Sequence, residues 1–384
     1  MDYNTVMSIS EFSRPITNPG GLKRLVKTLA NQPNIAVDTE SNSLFAYREQ
    51  VCLIQFSTSE KDYLLDSLTL TDLEQLGPIF ADPHILKIFH AAEYDLLCLK
   101  RDFGFSFKNL FDTMVAARIL GRKEVGLGSL IEAEYGIQLE KRHQRANWGQ
   151  RPLPDYLLDY ARMDTHFLIS LKEKLERELK LENMLPLAQE DFNRLCQVEI
   201  TTNNGKTDCW RINGVHHISP QQAAVLQQLC IYRDEIAKQL NRPLFKVISD
   251  HTLYNIANNL PDNLDKLNSL PGMTNRQMKR HGKALLQAVQ RGLQAEPVYP
   301  QRNMRPDDRF LARVEALKQW RKQKAHQMRV ESDIILPRDM LNKLASKDPR
   351  DMQELSVCLS EVPWRFQHYG EEILKTLEKV KNKK

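Results

Sequence analysis

The chain has 384 residues, of which 41% are hydrophobic, and a formal net charge of +5. That apolar content excludes a disordered chain, and at roughly 100–200 residues per domain the length predicts two or three domains. The mild basicity permits a nucleic-acid partner without demanding one. No stretch approaches the ~20 apolar residues of a membrane span, and residues 1–14 lack the apolar core of a signal peptide. The six cysteines (Cys52, Cys98, Cys196, Cys209, Cys230, Cys358) form no CxxC pair. Neither a zinc site nor a disulfide framework is expected, and a reducing cytoplasm suits them.

In chain order, residues 20–31 read as an amphipathic helix with Leu22, Leu25, Val26 and Leu29 on one face. An apolar strand follows, Ile35 to Val37, stopping at Asp38-Thr39-Glu40. Residues i and i+2 of a strand share a face, so Asp38 and Glu40 stand side by side. Two crowded carboxylates repel, and a hard divalent cation such as Mg²⁺ or Mn²⁺ relieves them. A strand end running into solvent is the alternative. Residues 51–58 and 62–66 read as antiparallel strands, 73–80 as a short helix, and 85–89 as a further strand leading through His90 into a helix over 91–103. On that helix Asp95 has Ala91, Ala92, Cys98 and Leu99 as its i±3 and i±4 neighbours, which places the acid on a buried face. A buried charge needs a partner, either a buried Arg or Lys or a cation.

Residues 112–120 and 127–135 are predicted helical, with Gly136 closing the second. The loop 141–154 interleaves Lys141, Arg142, His143, Arg145 and Arg151 with Trp148, which suits a phosphate backbone with stackable bases or, equally, a solvated basic loop. A helix over 155–180 then puts Tyr160 and Asp164 one turn apart among Leu157, Ala161, Phe167 and Leu168. A core tyrosine bonded to an acid is the alternative. Three acidic intrusions into apolar faces of one domain are harder to treat as coincidence than any one of them.

These residues resemble a known family. Asp38-Thr39-Glu40, then His90 and Asp95, then Tyr160-x-x-x-Asp164 are similar to the three exonuclease motifs of ribonuclease D, the tyrosine-containing branch of the DEDD 3′–5′ exonucleases. Trp148 and Arg151-Pro152-Leu153 precede the third motif. His166 follows Asp164, so it does not fill the histidine position of the sister branch. Asn147 stands before Trp148 where members often carry Asp. Beyond a polar linker over 198–218, residues 219–294 are helical and similar to a helicase-and-ribonuclease-D C-terminal (HRDC) domain. After a second linker, 295–307, residues 308–384 echo that unit at a spacing near 85–90 residues and end in Lys379, Lys381, Lys383 and Lys384.

The resemblance implies an α/β ribonuclease H-like exonuclease domain with a mixed sheet, residues 1–197, followed by two all-α HRDC-like bundles. Asp38, Glu40, Asp95 and Asp164 are expected to hold two divalent cations, Mg²⁺ or Mn²⁺, about 4 Å apart. Tyr160 is expected to hold the attacking water, since a phenol orients better than it abstracts. His90, Arg145, Trp148 and Arg151 are expected to contact substrate. The expected activity is 3′–5′ trimming of RNA, with tRNA precursors or other structured RNA as partner, by a cytoplasmic monomer with no membrane partner. The alternatives are a DNA-directed exonuclease and a catalytically weak RNA-binding protein.

Overall fold

The computed structural model describes residues 14–70, 72–140, 142–200, 209–300 and 306–381. Residues 1–13, Lys141, linker residues 201–208 and 301–305, and Lys383 and Lys384 lie outside the described residues. Contacts divide the chain into two compact units. One comprises residues 1–41, 51–200 and 306–384, the other residues 42–50 and 201–305.

In the first unit, Asn18 caps α1 (Pro19–Leu29) by accepting from the Gly21 N–H at 2.9 Å, and the helix buries Leu22, Leu25 and Leu29. Then come β1 (Asn34–Ser41), β2 (Val51–Ser57), β3 (Asp62–Asp66), the short α2 (Gly77–Ala81), β4 (Leu86–Phe89), α3 (Glu93–Phe103), β5 (Leu110–Asp112), α4 (Thr113–Ile119) and α5 (Leu127–Tyr135). The strands form one mixed sheet in the order β3-β2-β1-β4-β5. β1 and β2, and β2 and β3, are antiparallel, whereas β1, β4 and β5 run parallel. Every residue of β2 is buried, as a strand covered on both faces requires. Gly136, at φ 70°, closes α5 by donating to Glu132 O, the left-handed position that glycine adopts without strain.

Two expectations change here. The helix expected from residue 112 is preceded by β5, whose three buried residues are too few to show a period. The single helix expected over 155–180 is two, α6 (Asp155–His166) and α7 (Leu168–Leu181), parted at Phe167. No Gly or Pro marks the break. α6 packs on β1, β2 and β3, while α7 packs on β1, β4 and α4, and one straight helix cannot cover both surfaces. α8 (Leu185–Cys196) follows, carrying Glu190 and Asp191.

The second unit is a helical bundle of α9 (Pro220–Gln239), α10 (Leu244–Val247), α11 (Asp250–Asn259), α12 (Leu264–Asn268) and α13 (Asn275–Gln294). Ser219 and Gln222 form a capping box at the start of α9. Gly292 is required by close helix packing, because a Cβ there would meet the Val225 backbone at 2.4 Å. Residues 209–218, expected as linker, belong to this core through Cys209, Ile212, Val215 and Ile218. Their polar neighbours concealed short turns that pack. Cys209 and Cys230 are paired as a disulfide with Cα atoms 6.2 Å apart, where no disulfide framework was expected. The loop 42–50 joins this unit: the Tyr47 N–H donates to Asn241 Oδ1 at 3.1 Å, and the Tyr47 hydroxyl donates to Asp234 Oδ1 at 2.9 Å.

The last module, α14 (Asp308–Met328), α15 (Ser332–Ile335), α16 (Arg338–Lys347), α17 (Met352–Cys358) and α18 (Pro363–Lys381), repeats the bundle. The left-handed residues Asn241 and Leu260 recur 88 residues later as Arg329 and Asp348. The ring pair Tyr232–His281, 5.9 Å apart, recurs at the same offset as Trp320–Tyr369, 5.8 Å apart.

This module docks on the sheet-bearing part of its own unit. Ile334 joins the core around the sheet, and Val330 and Trp364 pack against that core. Arg365 has no exposed surface. It pairs with Glu190, donates to Asp191 through both terminal nitrogens at 2.9 Å, and donates to Ile334 O at 2.8 Å. Glu190 also accepts from the Trp364 N–H at 2.6 Å. At the edge, Arg118 reaches Glu331 and Asp333, and Arg194 reaches Asp339.

Candidate active site

Asp38 and Glu40 sit at the end of β1, where the register with β2 slips between Glu40 and Ser41. Such irregularities re-aim side chains at strand ends. Thr39, between them, donates its hydroxyl to Asp95 on α3. Asp95 is 7% exposed, as its apolar neighbours implied, and among the described residues no Arg or Lys pairs with it. Tyr160 and Asp164 share a face of α6, and the phenol donates to the carboxylate.

The four acids feel one another. Asp38 is held well above the ordinary carboxylate range by burial first, then by Asp95, Asp164 and Glu40. Glu40 is raised by burial and then by Asp164 and Asp95. Burial pushes Asp95 and Asp164 to about 7. Tyr160 is raised by burial, then by Asp164, Glu40 and Asp38, so its hydroxyl stays protonated. Asp38, Glu40, Tyr160 and Asp164 open with His90 onto a cavity of about 420 Å³. A larger cavity of about 850 Å³ shares no lining residue with it.

Supporting groups that the motifs did not disclose hold this arrangement. Asp112, 1% exposed, accepts from the N–H groups of Ala91, Ala92, Met114 and Val115. It thereby caps α4 and fixes the turn before α3, where Ala91 is left-handed at φ 62°. Thr113 donates to Phe89 O, so it accepts from His90 Nδ1 at 2.9 Å, and Nε2 is left as the acceptor. Burial lowers His90 to about 4, which keeps it neutral. Gln55 lies opposite Asp38 in the β1–β2 register, fully buried, with neither amide atom partnered among the described residues. Glu140 and Gln144 also line the cavity. Gln144 sits in the loop 141–154, noted in the sequence for its cations, and Glu140 directly precedes it.

That loop is only partly brought to the site. Trp148 is 1% exposed, packed among Cys52, Leu53, Leu64 and Leu157, with its ring 6.0 Å from that of Tyr160. Arg151 holds buried Asp66 at 2.6 and 2.8 Å and donates to the carbonyls of Cys52, Trp148 and Gln150. Neither lines the acids' cavity, and within the protein both have packing roles. A guanidinium with every donor engaged has none to offer a phosphate. Arg145 is exposed and also outside the cavity lining.

The residues fit divalent cations in donor type. Four carboxylates that raise each other's pKa form a hard-oxygen site wanting positive charge, and the orphaned Gln55 amide beside Asp38 is suited to a ligand-bearing pocket. Among the described residues, no three His, Cys, Asp or Glu side chains yet stand at coordination geometry.

The chain is similar to known nucleases. Residues 13–180 match the family model for a 3′–5′ exonuclease, and residues 222–289 and 310–377 each match that of the HRDC domain. The chain is 32% identical to Ribonuclease D of Escherichia coli over 278 residues, covering 72% of this chain and 74% of that protein. It is 29% identical to Protein RRP6-like 2 of Arabidopsis thaliana over 289 residues, 71% of this chain but only 33% of that longer protein. The crystal structure of E. coli RNase D, an exoribonuclease involved in structured RNA processing, superposes with a TM-score of 0.70 at 27% identity, covering 95% of this chain and 98% of that one.

Proposed function

The chain belongs to the ribonuclease D family of 3′–5′ exonucleases, and on that premise we propose that it trims RNA from the 3′ end by two-metal-ion hydrolysis. The observation that carries the proposal is that Asp38 and Glu40 of β1 and Asp164 of α6 line one cavity, while buried Asp95 of α3 accepts from Thr39 between the first two and shares the field of the other acids. Bound divalent cations would supply a nucleophile at neutral pH and relief of charge on the leaving 3′ oxygen. The four carboxylates would hold them. Tyr160, protonated and fixed by its bond to Asp164, would orient the attacking water. His90, neutral with Nε2 as acceptor, would receive a hydroxyl of the terminal ribose. The 3′ ends of structured RNAs, tRNA precursors among them, are the substrates we favour, in a cytoplasmic monomer. The four buried free thiols support a reducing location, and the Cys209–Cys230 pair does not.

The test is end-labelled RNA and DNA of one sequence, incubated with Mg²⁺ or Mn²⁺ and with EDTA. Stepwise 3′ shortening of RNA that EDTA stops is the expected result. No shortening with either ion, or shortening of DNA alone, overturns the proposal.

A further inference from the structure

The second helical module shows what one face of the repeated bundle can seat. Its α15/α18 face presents Val330, Ile334 and Trp364 to the core around the sheet, and a carboxylate from α8 accepts at the first turn of α18. In the 88-residue register the equivalent side chains of the first module are Arg242, Lys246 and Arg276. All three apolar docking positions have become cations. They are exposed, and with Arg280 and the buried His281 they line a cavity of about 290 Å³ at the start of the 20-residue α13. No lining residue is acidic. Among the described residues Arg242, Arg276 and Arg280 make no ion pair, while the Lys246 ammonium lies 4.0 Å from the Phe45 ring centre.

A second correspondence says more about the ligand. Gln277 stands in the Arg365 register position. Its Nε2 donates to Val247 O at 2.9 Å, just as Arg365 Nε donates to Ile335 O at 3.2 Å. Arg365 turns its remaining nitrogens to Glu190 and Asp191, whereas the buried Gln277 Oε1 has no partner. A ligand for the first module's face therefore brings negative charge to several cations and a hydrogen-bond donor to one amide oxygen. An RNA strand has both, in its phosphates and its 2′-hydroxyls. Phe245, 56% exposed beside Lys246, adds a ring on which a base can stack.

We propose that the α10/α13 face of the first module is a phosphate-backbone site for RNA, and that the second module, with the same face occupied by its own nuclease domain, is a fixed brace and not a second grip. The assignment rests on the RNA-directed reading above. It divides the work of two like modules by what covers one face.

The experiment uses the full chain in EDTA with a labelled RNA hairpin bearing a short 3′ overhang. The variant Arg242→Glu/Lys246→Glu/Arg276→Glu is compared with Lys318→Glu/Lys322→Glu/Lys379→Glu, an equal charge change at exposed positions of the second module. The face variant should bind about 10- to 100-fold more weakly at low salt, and its log–log salt slope should be shallower by about 2–3. The control should stay within about threefold of wild type, since its charges touch no phosphate. In Mg²⁺ both should trim a short single strand at the wild-type rate. Single Arg242→Ala and Arg276→Ala variants, each lowering the slope by about one, replace the triple if it does not fold. Wild-type hairpin binding by the face variant, or equal losses in both triples, overturns the assignment while leaving the nuclease reading intact. Unchanged RNA binding with lost binding of a polyglutamate peptide overturns it in favour of an acidic protein ligand. A wild-type chain that neither binds nor trims RNA overturns both readings.

Discussion

A phenol beside carboxylates that raise its pKa keeps its proton, so Tyr160 acts as a donor and an orienter. Tyr160→Phe removes one oxygen and keeps the ring packed near Trp148 and His143. Loss of a positioning hydrogen bond in such a site costs roughly 2–4 kcal/mol of transition-state stabilisation, about 10²–10³-fold in rate. Single-turnover trimming should fall by that factor with metal affinity kept. A variant that cleaves at the wild-type rate but melts lower would make Tyr160 structural. Asp38→Asn should abolish hydrolysis, because an amide is a poor ligand for a hard cation. Its melting temperature in EDTA should equal or exceed that of wild type, since one of four mutually repelling charges is gone. A folded Asp38→Asn protein with normal Mg²⁺-dependent turnover removes Asp38 from the site. Asp95 and Asp164 were legible because an acid inside an apolar stripe breaks the stripe's period, and Asp38 and Glu40 because two acids on one face end an apolar strand. Asp112 was not, because an acid before a helix looks like any cap. The place of Arg151 in the fold was not legible either, because sequence shows its charge and not that Asp66 meets it.

Elements show the same division between pattern and partner. Strands and helices with a clear period appeared where the pattern placed them; three-residue β5 and the Phe167 break did not, because the first is shorter than a period and the second arises from the two surfaces beneath it. The docking of the last module depends on one residue of α18. Arg365 is buried against Glu190, whose side chain is itself 4% exposed. Removing one member of such a pair leaves a buried charge uncompensated, at a cost of about 3–5 kcal/mol. Arg365→Met should therefore lower unfolding free energy by that order, measured by urea titration of the full chain. Adding Glu190→Gln should recover part of the loss, since the orphaned charge is then gone. Independent, additive effects of the two substitutions would show that they do not act as a pair.

At the scale of the whole molecule, the internal repeat was legible to within a few residues, yet sequence periodicity could not tell that one copy docks through a face that is cationic in the other. That difference lies in Val330, Ile334 and Trp364 against Arg242, Lys246 and Arg276, and it becomes meaningful only when the structure shows what the first set touches. The consequence is that chemistry and grip reside on different groups, four acids in one unit and a cationic face in the other, and should answer to different agents. EDTA acts on the acids and should stop trimming completely. It should leave hairpin affinity within about threefold, because phosphate contacts by Arg and Lys need no metal. Salt acts on the cations. Raising it from about 50 to 200 mM should weaken hairpin binding by about one to two orders of magnitude for three or four phosphate contacts. The trimming rate of a saturating short oligonucleotide should change little, since buried charges are poorly screened. Both readouts come from one labelled hairpin and one short strand titrated in parallel. If EDTA removes hairpin binding together with hydrolysis, substrate is held chiefly at the acids, and the first module loses its assigned role. If salt slows short-strand turnover as steeply as it weakens hairpin binding, grip and chemistry share one surface, and the separation fails.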